Sequence, residues 1–430
     1  MSTTPSSSPS PSRHPLALLR DPGTVRARCA AVLRAVESNV SEHFNVDRGR
    51  LQPATDRVVS LTLKRYPDLR VPYHSRWRHF EAGGIQRKPQ LDALLAGRST
   101  VEAARVHFDL TVTSVLLDAG AGAAWRYTED GTGQQLSRSE GLGVASWHGF
   151  IDGLFSATPD DNLRADASAL EKIDAARLRQ IFQSDGDNTM VGLEGRAGLL
   201  ARLGSTLRLE AARLGIDAKQ ARPSLLFDQL TQGGTLQQVS ATAVLARVLH
   251  LLGPIWTSGS NVQGLMAGDV WRHRWAGDAV GGINSGQRDP TTGGWVPFHK
   301  LSQWLAYSLL EPLQWAGVTV TGVDALTALP EYRNGGLLID TGVIVPRHPR
   351  ELARTFKPGD DLVVEWRALT VALIDEIAVL MRAHLGKTAE DLPLACVLEG
   401  GTWAAGREIA AELRPGGEPP VKIESDGTVF

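Results

Sequence analysis

Four stretches of the chain gather side chains able to do chemistry. In "LPEYRNGGLLIDTGV" (329–343), Glu331, Tyr332, Arg333 and Asn334 stand together, followed by two glycines and an apolar run. A carboxylate rooted between apolar segments is either desolvated, which raises its pKa, or paired with arginine, which keeps it ionised. Gly335 and Gly336 predict positive φ and a tight change of direction before Leu337, Leu338 and Ile339 return to the core. A structural pair of Glu331 and Arg333 and a substrate-facing Glu331 both satisfy the pattern.

The second stretch, "PYHSRWRHFEAGG", brings His74, Arg76, Trp77, Arg78, His79 and Glu81 close together. The planar guanidinium fork donates two parallel hydrogen bonds, so Arg76 and Arg78 suit a phosphate or carboxylate. His74, His79 and Glu81 are metal-type donors, but their spacing matches no metal motif of known mechanism. The third, "FHKLSQWLAYSLLEPL", looks helical yet contains Pro312. Proline has no N–H for the carbonyl of Ser308 and crowds it, which predicts a kink or an end there. Ser308 and Glu311 would then form a polar notch beside Trp304, Leu305 and Leu309, with Lys300, Gln303 and Tyr307 on adjoining turns. The fourth, "DDLVVEWRALT", sets Glu365 and Arg367 among apolar neighbours, and buried charges need partners. Glu365 with Arg333, or Glu331 with Arg367, are the expected cross-pairs. His107, Asp109 and the "SWHGF" of 146–150 read as core.

The elements that must position these groups are mainly helical. Val25, Cys29, Val32 and Val36 recur on one helical face after Thr24, a predicted N-cap. Leu170, Ile173, Ile181 and Phe182 suggest another helix. After Asp360 and Asp361, Leu362, Trp366, Leu369, Leu373, Ile377 and Leu380 form a stripe that Gly386 is placed to stop. Strand signals are short, at 318–320 and 421–423. The fold class is mainly α with a few short strands. Gly/Pro-rich loops at 71–84 and 281–295 are long enough to be functional.

The 430 residues suggest two or three units sharing one compact body: a Ser/Pro tail (1–15), an N-terminal helical part (16–160) and a C-terminal helical part (161–430) with the carboxylates. A net charge of −2 without a basic stripe predicts no nucleic-acid partner. The absence of a long apolar run predicts no membrane span. Two cysteines, Cys29 and Cys396, exclude a disulfide framework and suit a cytoplasmic setting.

Taken together, "PYHSRWRHFEAGG", "YSLLEPL", "LPEYRNGGLLIDTGV" and the terminal "IESDGTVF" resemble a uracil-catabolism family over nearly the whole chain beyond the tail. The resemblance implies a part in breaking down uracil through a ribosylurea-type intermediate. The layout is also similar to the queuosine-salvage N-glycosidases, helical proteins related in shape to helix-hairpin-helix DNA glycosylases. That similarity implies roles for Glu331, Tyr332 and Arg333 in "PEYR", Lys300 and Gln303 in "HKLSQ", and Glu365 and Arg367 in "EWRA". Ser308 stands where that family has a catalytic aspartate, so Glu311 or Glu331 would take over its role.

The expected reaction is metal-independent and cofactor-free hydrolysis of a ribosylurea-type nucleoside or its 5′-phosphate. Glu331 would stabilise the oxocarbenium-like state and deprotonate water, with Tyr332 and Arg333 orienting it or the substrate. Urea leaves poorly, so Glu311, Glu365 or His299 would protonate it. Arg76, Arg78 or Lys300 would anchor a phosphate. The alternatives are an amidohydrolase holding metal through His74 and His79, and a non-catalytic module binding a uracil-derived metabolite.

Overall fold

The computed structural model describes residues 15–257 and 259–424. The expectation for the Ser/Pro tail and the end of the terminal motif, from Ser425 on, fall outside them, Pro15 excepted. The helices that build and brace the site are α1 (Pro22–Glu37), α2 (Leu51–Arg65), the short α3 (Arg76–Phe80), α4 (Thr100–Leu116), α5 (Arg138–Ile151), α6 (Lys300–Trp315), α7 (Tyr332–Asp340), α8 (Asp361–Leu385) and α9 (Trp403–Leu413). Among the described residues strands pair only in twos, including Phe44–Val46 antiparallel to Ile344–Pro346 and Val270–Arg272 antiparallel to Trp295–Pro297. The fold is therefore mainly α with few short strands. No described helix is long and apolar enough to cross a membrane.

Capping residues set most boundaries. Asp21, not Thr24, caps α1, its carboxylate accepting from the amides of Gly23 and Thr24. Pro22 explains the shift, because the first helical position leaves an amide unpaired and proline has none to leave. Thr24 instead accepts from the amide of Gly281. Asp360 precedes α8, and Gly386 closes it at φ 63°, as the stripe required. The expected helix through 170–182 breaks in two, Ala167–Leu170 and Ala175–Ile181, because Asp174 starts a new one by accepting from the Arg177 amide.

One hydrophobic cluster runs from Val25 to Val421, so residues before and after 160 contribute to the same core. α7 lies against both α8 and α9. Its glycines overturn the expected turn: Gly335 and Gly336 are helical and neither has positive φ. A Cβ on Gly335 would fall 2.6 Å from the Trp366 ring, whose indole N–H donates to the Gly335 carbonyl at 3.1 Å. A Cβ on Gly406 of α9 would fall 2.1 Å from the carbonyl oxygen of Arg333. These glycines let helices approach rather than letting the chain turn.

Pro312 also departs from expectation. α6 continues through it to Trp315, and the Ser308 carbonyl that proline leaves unpaired accepts the Trp77 indole at 3.1 Å. Ser308 Oγ in turn accepts the amide of Arg76 at 2.9 Å. The expected notch is thus filled by α3, which is how the second stretch is fixed to the third.

Because Gly406 abuts a backbone carbonyl that cannot rotate away, Gly406→Ala should destabilise the protein by about 1–3 kcal/mol through overpacking. Gly282→Ala, where an added Cβ meets nothing within 4 Å, should leave stability within about 0.5 kcal/mol. Thermal unfolding of the two variants beside the parent protein checks the contrast.

Candidate active site

A cavity of about 320 Å³ opens where the ends of several elements meet. It is bounded by the first turns of α6 and α7, the N-terminus of α5, the 118–123 segment after α4, His74 and His79 from the α3 region, and Trp403 at the start of α9. This volume is at the small end of the range for ligand sites, about 300–1,000 Å³.

Glu331 enters this cavity as the N-cap of α7. Its Oε2 accepts from the amide of Arg333 at 2.7 Å and its Oε1 from the amide of Asn334 at 2.6 Å, which fixes the carboxylate plane. Burial pushes its pKa up; the two amide bonds and the Lys300 charge oppose this, and the result stays above the ordinary value. Each carboxylate oxygen accepting one amide keeps further acceptor capacity. Tyr332 and Arg333 line the cavity beside it. Arg333 donates to the Gly417 carbonyl at 3.0 Å and its guanidinium lies 4.9 Å from the Tyr332 ring centre. Lys300 lines the cavity too, and burial lowers its pKa against the opposing pull of Glu331.

A buried ion pair holds Glu331 and Lys300 in place. Arg367 of α8 donates to Asp269 twice, at 2.7 and 2.8 Å, and its Nε donates to the carbonyl of Pro330 at 3.3 Å, immediately before Glu331. Asp269 accepts from the backbone amide of Lys300 at 3.0 Å and from the Trp271 indole at 2.7 Å. Burial pushes the Asp269 carboxyl up, but the Arg367 charge and these hydrogen bonds prevail and hold it well below the carboxylate range.

A second polar set lines the same cavity. Arg76 reaches Asp118 at 2.7 Å, and Ser139 donates to Asp118 at 3.1 Å. Despite burial, these partners keep Asp118 below its ordinary value. His79 Nδ1 lies 3.3 Å from Arg76 Nη1 and must accept there, which leaves its proton on Nε2. Burial and the Arg76 charge push His79 down to about 4, so it is neutral at pH 7. His74 Nδ1 is 2.9 Å from Glu399 Oε2. Trp304 and Trp403 flank the histidines, with ring-centre distances of 5.5 Å for His79 to Trp304 and 5.7 Å for His74 to Trp403.

Of the residues expected to act in the hydrolysis, Glu331, Tyr332, Arg333 and Lys300 meet in this cavity, joined by His74, His79 and Trp304, whereas Gln303, His299, Glu311, Glu365, Arg367, Arg76 and Arg78 do not line it. Glu311 is half-buried and bonded to Ser75 at 2.6 Å and Arg78 at 2.9 Å, and Arg78 also reaches Glu81. Gln303 is occupied by Thr327 and the Phe298 carbonyl. His299 meets the Leu19 carbonyl at 3.0 Å, and burial pushes it down to about 4. Arg76 braces Asp118 from behind. Both expected cross-pairs are corrected: Glu365 bonds Ser41 and lies 3.4 Å from His273, while Arg367 takes Asp269. The partners Ser41, His273 and Asp269 come from segments whose approach no local pattern announced. Among the described residues no group of three or more His, Cys, Asp or Glu is arranged to hold a metal. His74 and His79 are turned to Glu399 and Arg76 instead.

Sequence reasoning missed Asp118, Arg138, Glu399 and Trp403. A usable signal existed for Asp118: "LLDAGAGAA" follows a carboxylate with residues too small to fill space, and 119–123 form the cavity wall. Arg138 stands at φ 55°, uncommon for a residue with a Cβ, with its side chain at the cavity.

A family described as "Protein of unknown function (DUF1688)" matches residues 18–430. "Protein urg3" of Schizosaccharomyces pombe is 36% identical over 414 residues, covering 94% of this chain and 96% of that one. "Uracil catabolism protein 4" of Lachancea kluyveri is 35% identical over 447 residues, covering 97% of this chain and 99% of that one.

Asp269→Asn leaves Arg367 buried without its counter-charge and should cost about 3–5 kcal/mol at neutral pH. Since Asp269 is held below its ordinary value of 3.8, its contribution is present above that value and lost as pH falls through the folded one. The melting-temperature deficit of the variant should therefore be full from about pH 5 to 8 and shrink towards about pH 3. Thermal melts of both proteins across that range check the sign.

Proposed function

The chain belongs to the DUF1688 family, and on that footing we propose that it acts in uracil catabolism by hydrolysing the N-glycosidic bond of a ribosylurea-type nucleoside or its 5′-phosphate. The name of the Lachancea kluyveri relative supports the pathway, in agreement with the family resemblance read from the sequence. The observation that carries the reaction is a desolvated carboxylate, Glu331, held by two backbone amides at a cavity sized for one small ligand.

N-glycosidic cleavage builds positive charge on C1 and the ring oxygen of the sugar. A preorganised anion at that place lowers the barrier because it needs no reorganisation when the charge appears. Glu331 also accepts the proton of the attacking water, and its raised pKa suits a group that gains a proton in the step. The amides of Arg333 and Asn334 keep the carboxylate in one orientation, and the Lys300 charge favours its ionised form. Trp304 and Trp403 offer apolar faces to the sugar and the ureide. Arg138, Lys300 and Arg333 supply the positive charge that a 5′-phosphate requires.

Purified protein treated with chelator should release urea and free sugar from ribosylurea or its 5′-phosphate in an NMR time course. Glu331→Gln keeps the side-chain size and should lower the rate by about 10²–10⁴-fold. No urea release from either compound by folded parent protein would sink the glycosidase reading. Turnover that needs added zinc would favour an amidohydrolase, and tight binding without turnover a binding module.

A further inference from the structure

We propose that His74, backed by Glu399, is the acid that protonates the departing ureide nitrogen in the cavity it shares with Glu331; the assignment rests on the glycosidase reading above. Urea is too basic an anion to leave unprotonated, so the reaction needs a proton donor as well as the Glu331 carboxylate. The donors suggested by sequence, Glu311, Glu365 and His299, lie elsewhere and are engaged with Ser75 and Arg78, with Ser41, and with the Leu19 carbonyl.

His74 fits the role by position and by partner. It lines the cavity and is only 4% exposed, with Nδ1 committed to Glu399 and no hydrogen-bond partner for Nε2 among the described residues. A carboxylate on Nδ1 fixes the tautomer, supplies the counter-charge for an imidazolium and leaves Nε2–H as the donor towards the cavity. Glu399 is itself fixed: Oε1 accepts from Arg65 at 3.1 Å and from Tyr66 at 3.3 Å, which leaves Oε2 for His74. Burial raises the Glu399 pKa, but the His74 hydrogen bond and the charges of His74, Arg65 and His79 outweigh it and keep the carboxyl below its ordinary value.

The backbone gives an independent reason. Leu398–Thr402 is a π-helical turn, a form that is rare and concentrates at functional sites. It carries Glu399 to His74, presses Gly400 and Gly401 against Thr62 and Val58 of α2, and delivers Trp403 to the cavity. The neighbouring His79 is a poor acid by the same logic, since its partner is the Arg76 guanidinium and not a carboxylate.

In the step, the bond between C1 and the ureide nitrogen breaks with its electron pair on nitrogen, which takes the proton from His74 Nε2. Water oxygen bonds to C1 and gives its proton to Glu331. The products are urea and the sugar, with His74 neutral and Glu331 protonated; proton exchange with solvent resets both. Among the described residues the charged and titratable groups around His74 include Glu399, with Arg65 and Tyr66 bonded to it, and His79.

The test compares ribosylurea with ribosyl fluoride, a compact substrate whose leaving group departs without a full proton transfer. His74→Gln should lower kcat/KM on ribosylurea by about 10²–10⁴-fold and on the fluoride by about tenfold or less. Glu399→Gln, as a second variant, should lower ribosylurea turnover more than fluoride turnover, because His74 loses the carboxylate that orients it and balances an imidazolium. Circular dichroism and melting temperature establish that each variant is folded. Equal losses on both substrates, or none on either, would overturn the role of His74 while leaving the glycosidase intact. Parent protein that cleaves neither substrate would overturn both readings.

Discussion

The buried pair of Arg367 and Asp269 is the constraint on which the site depends. It joins three stretches far apart in sequence: α8, the strand and loop around 269–272, and the segment 330–333. Removing two charges from water is costly, and only good geometry with every remaining donor satisfied offsets it. Asp269 meets that demand with the Arg367 fork, the Lys300 amide and the Trp271 indole, and its own carbonyl accepts the amide of Phe298 at 2.9 Å. The start of α6 and the start of α7 are therefore fixed relative to one another before any substrate group is considered.

Two helix starts brought together have a chemical consequence. Backbone amides at a helix N-terminus point outward unpaired and carry partial positive charge. Glu331 uses two of them at α7, and these bonds act with the charges of Lys300 and Arg333 to oppose the cost of burying the carboxylate. The histidine-bearing part of the lining is built on different principles. There Arg76, Asp118 and His79 form one chain of hydrogen bonds, and Arg65, Glu399 and His74 another. The two histidines face opposite electrostatic partners, a guanidinium for His79 and a carboxylate for His74, and burial together with the guanidinium keeps His79 neutral at pH 7.

Packing makes this arrangement possible. Gly335 and Gly406 let α7 contact α8 and α9 at distances no side chain would permit, and the π turn before α9 shifts its register so that Glu399 and Trp403 both serve the cavity. Ser308 and Pro312 act together: the carbonyl released by proline receives the Trp77 indole and thereby docks the segment containing His74 and His79. A feature that reads as a defect in one helix is the attachment point of another segment.

The sequence determined the helical class, because periodic apolar residues and caps such as Asp360 and Gly386 act within a few residues of chain. It also determined that "PEYR" and Lys300 were chemically notable, since a carboxylate, a phenol and cations next to apolar runs must be satisfied locally or put to use. Family membership was legible in long, unusual strings for the same local reason. What only the tertiary structure decided was which charges meet. Asp269 is 98 residues before Arg367, and Glu399 is 325 residues after His74. Cross-pairs between the conspicuous charges looked sensible, yet burial selected Ser41, His273 and Asp269 as partners. The reason is physical: a helix or a cap is settled by neighbours along the chain, whereas the partner of a buried charge is settled by the packing of the whole core, which no short pattern encodes.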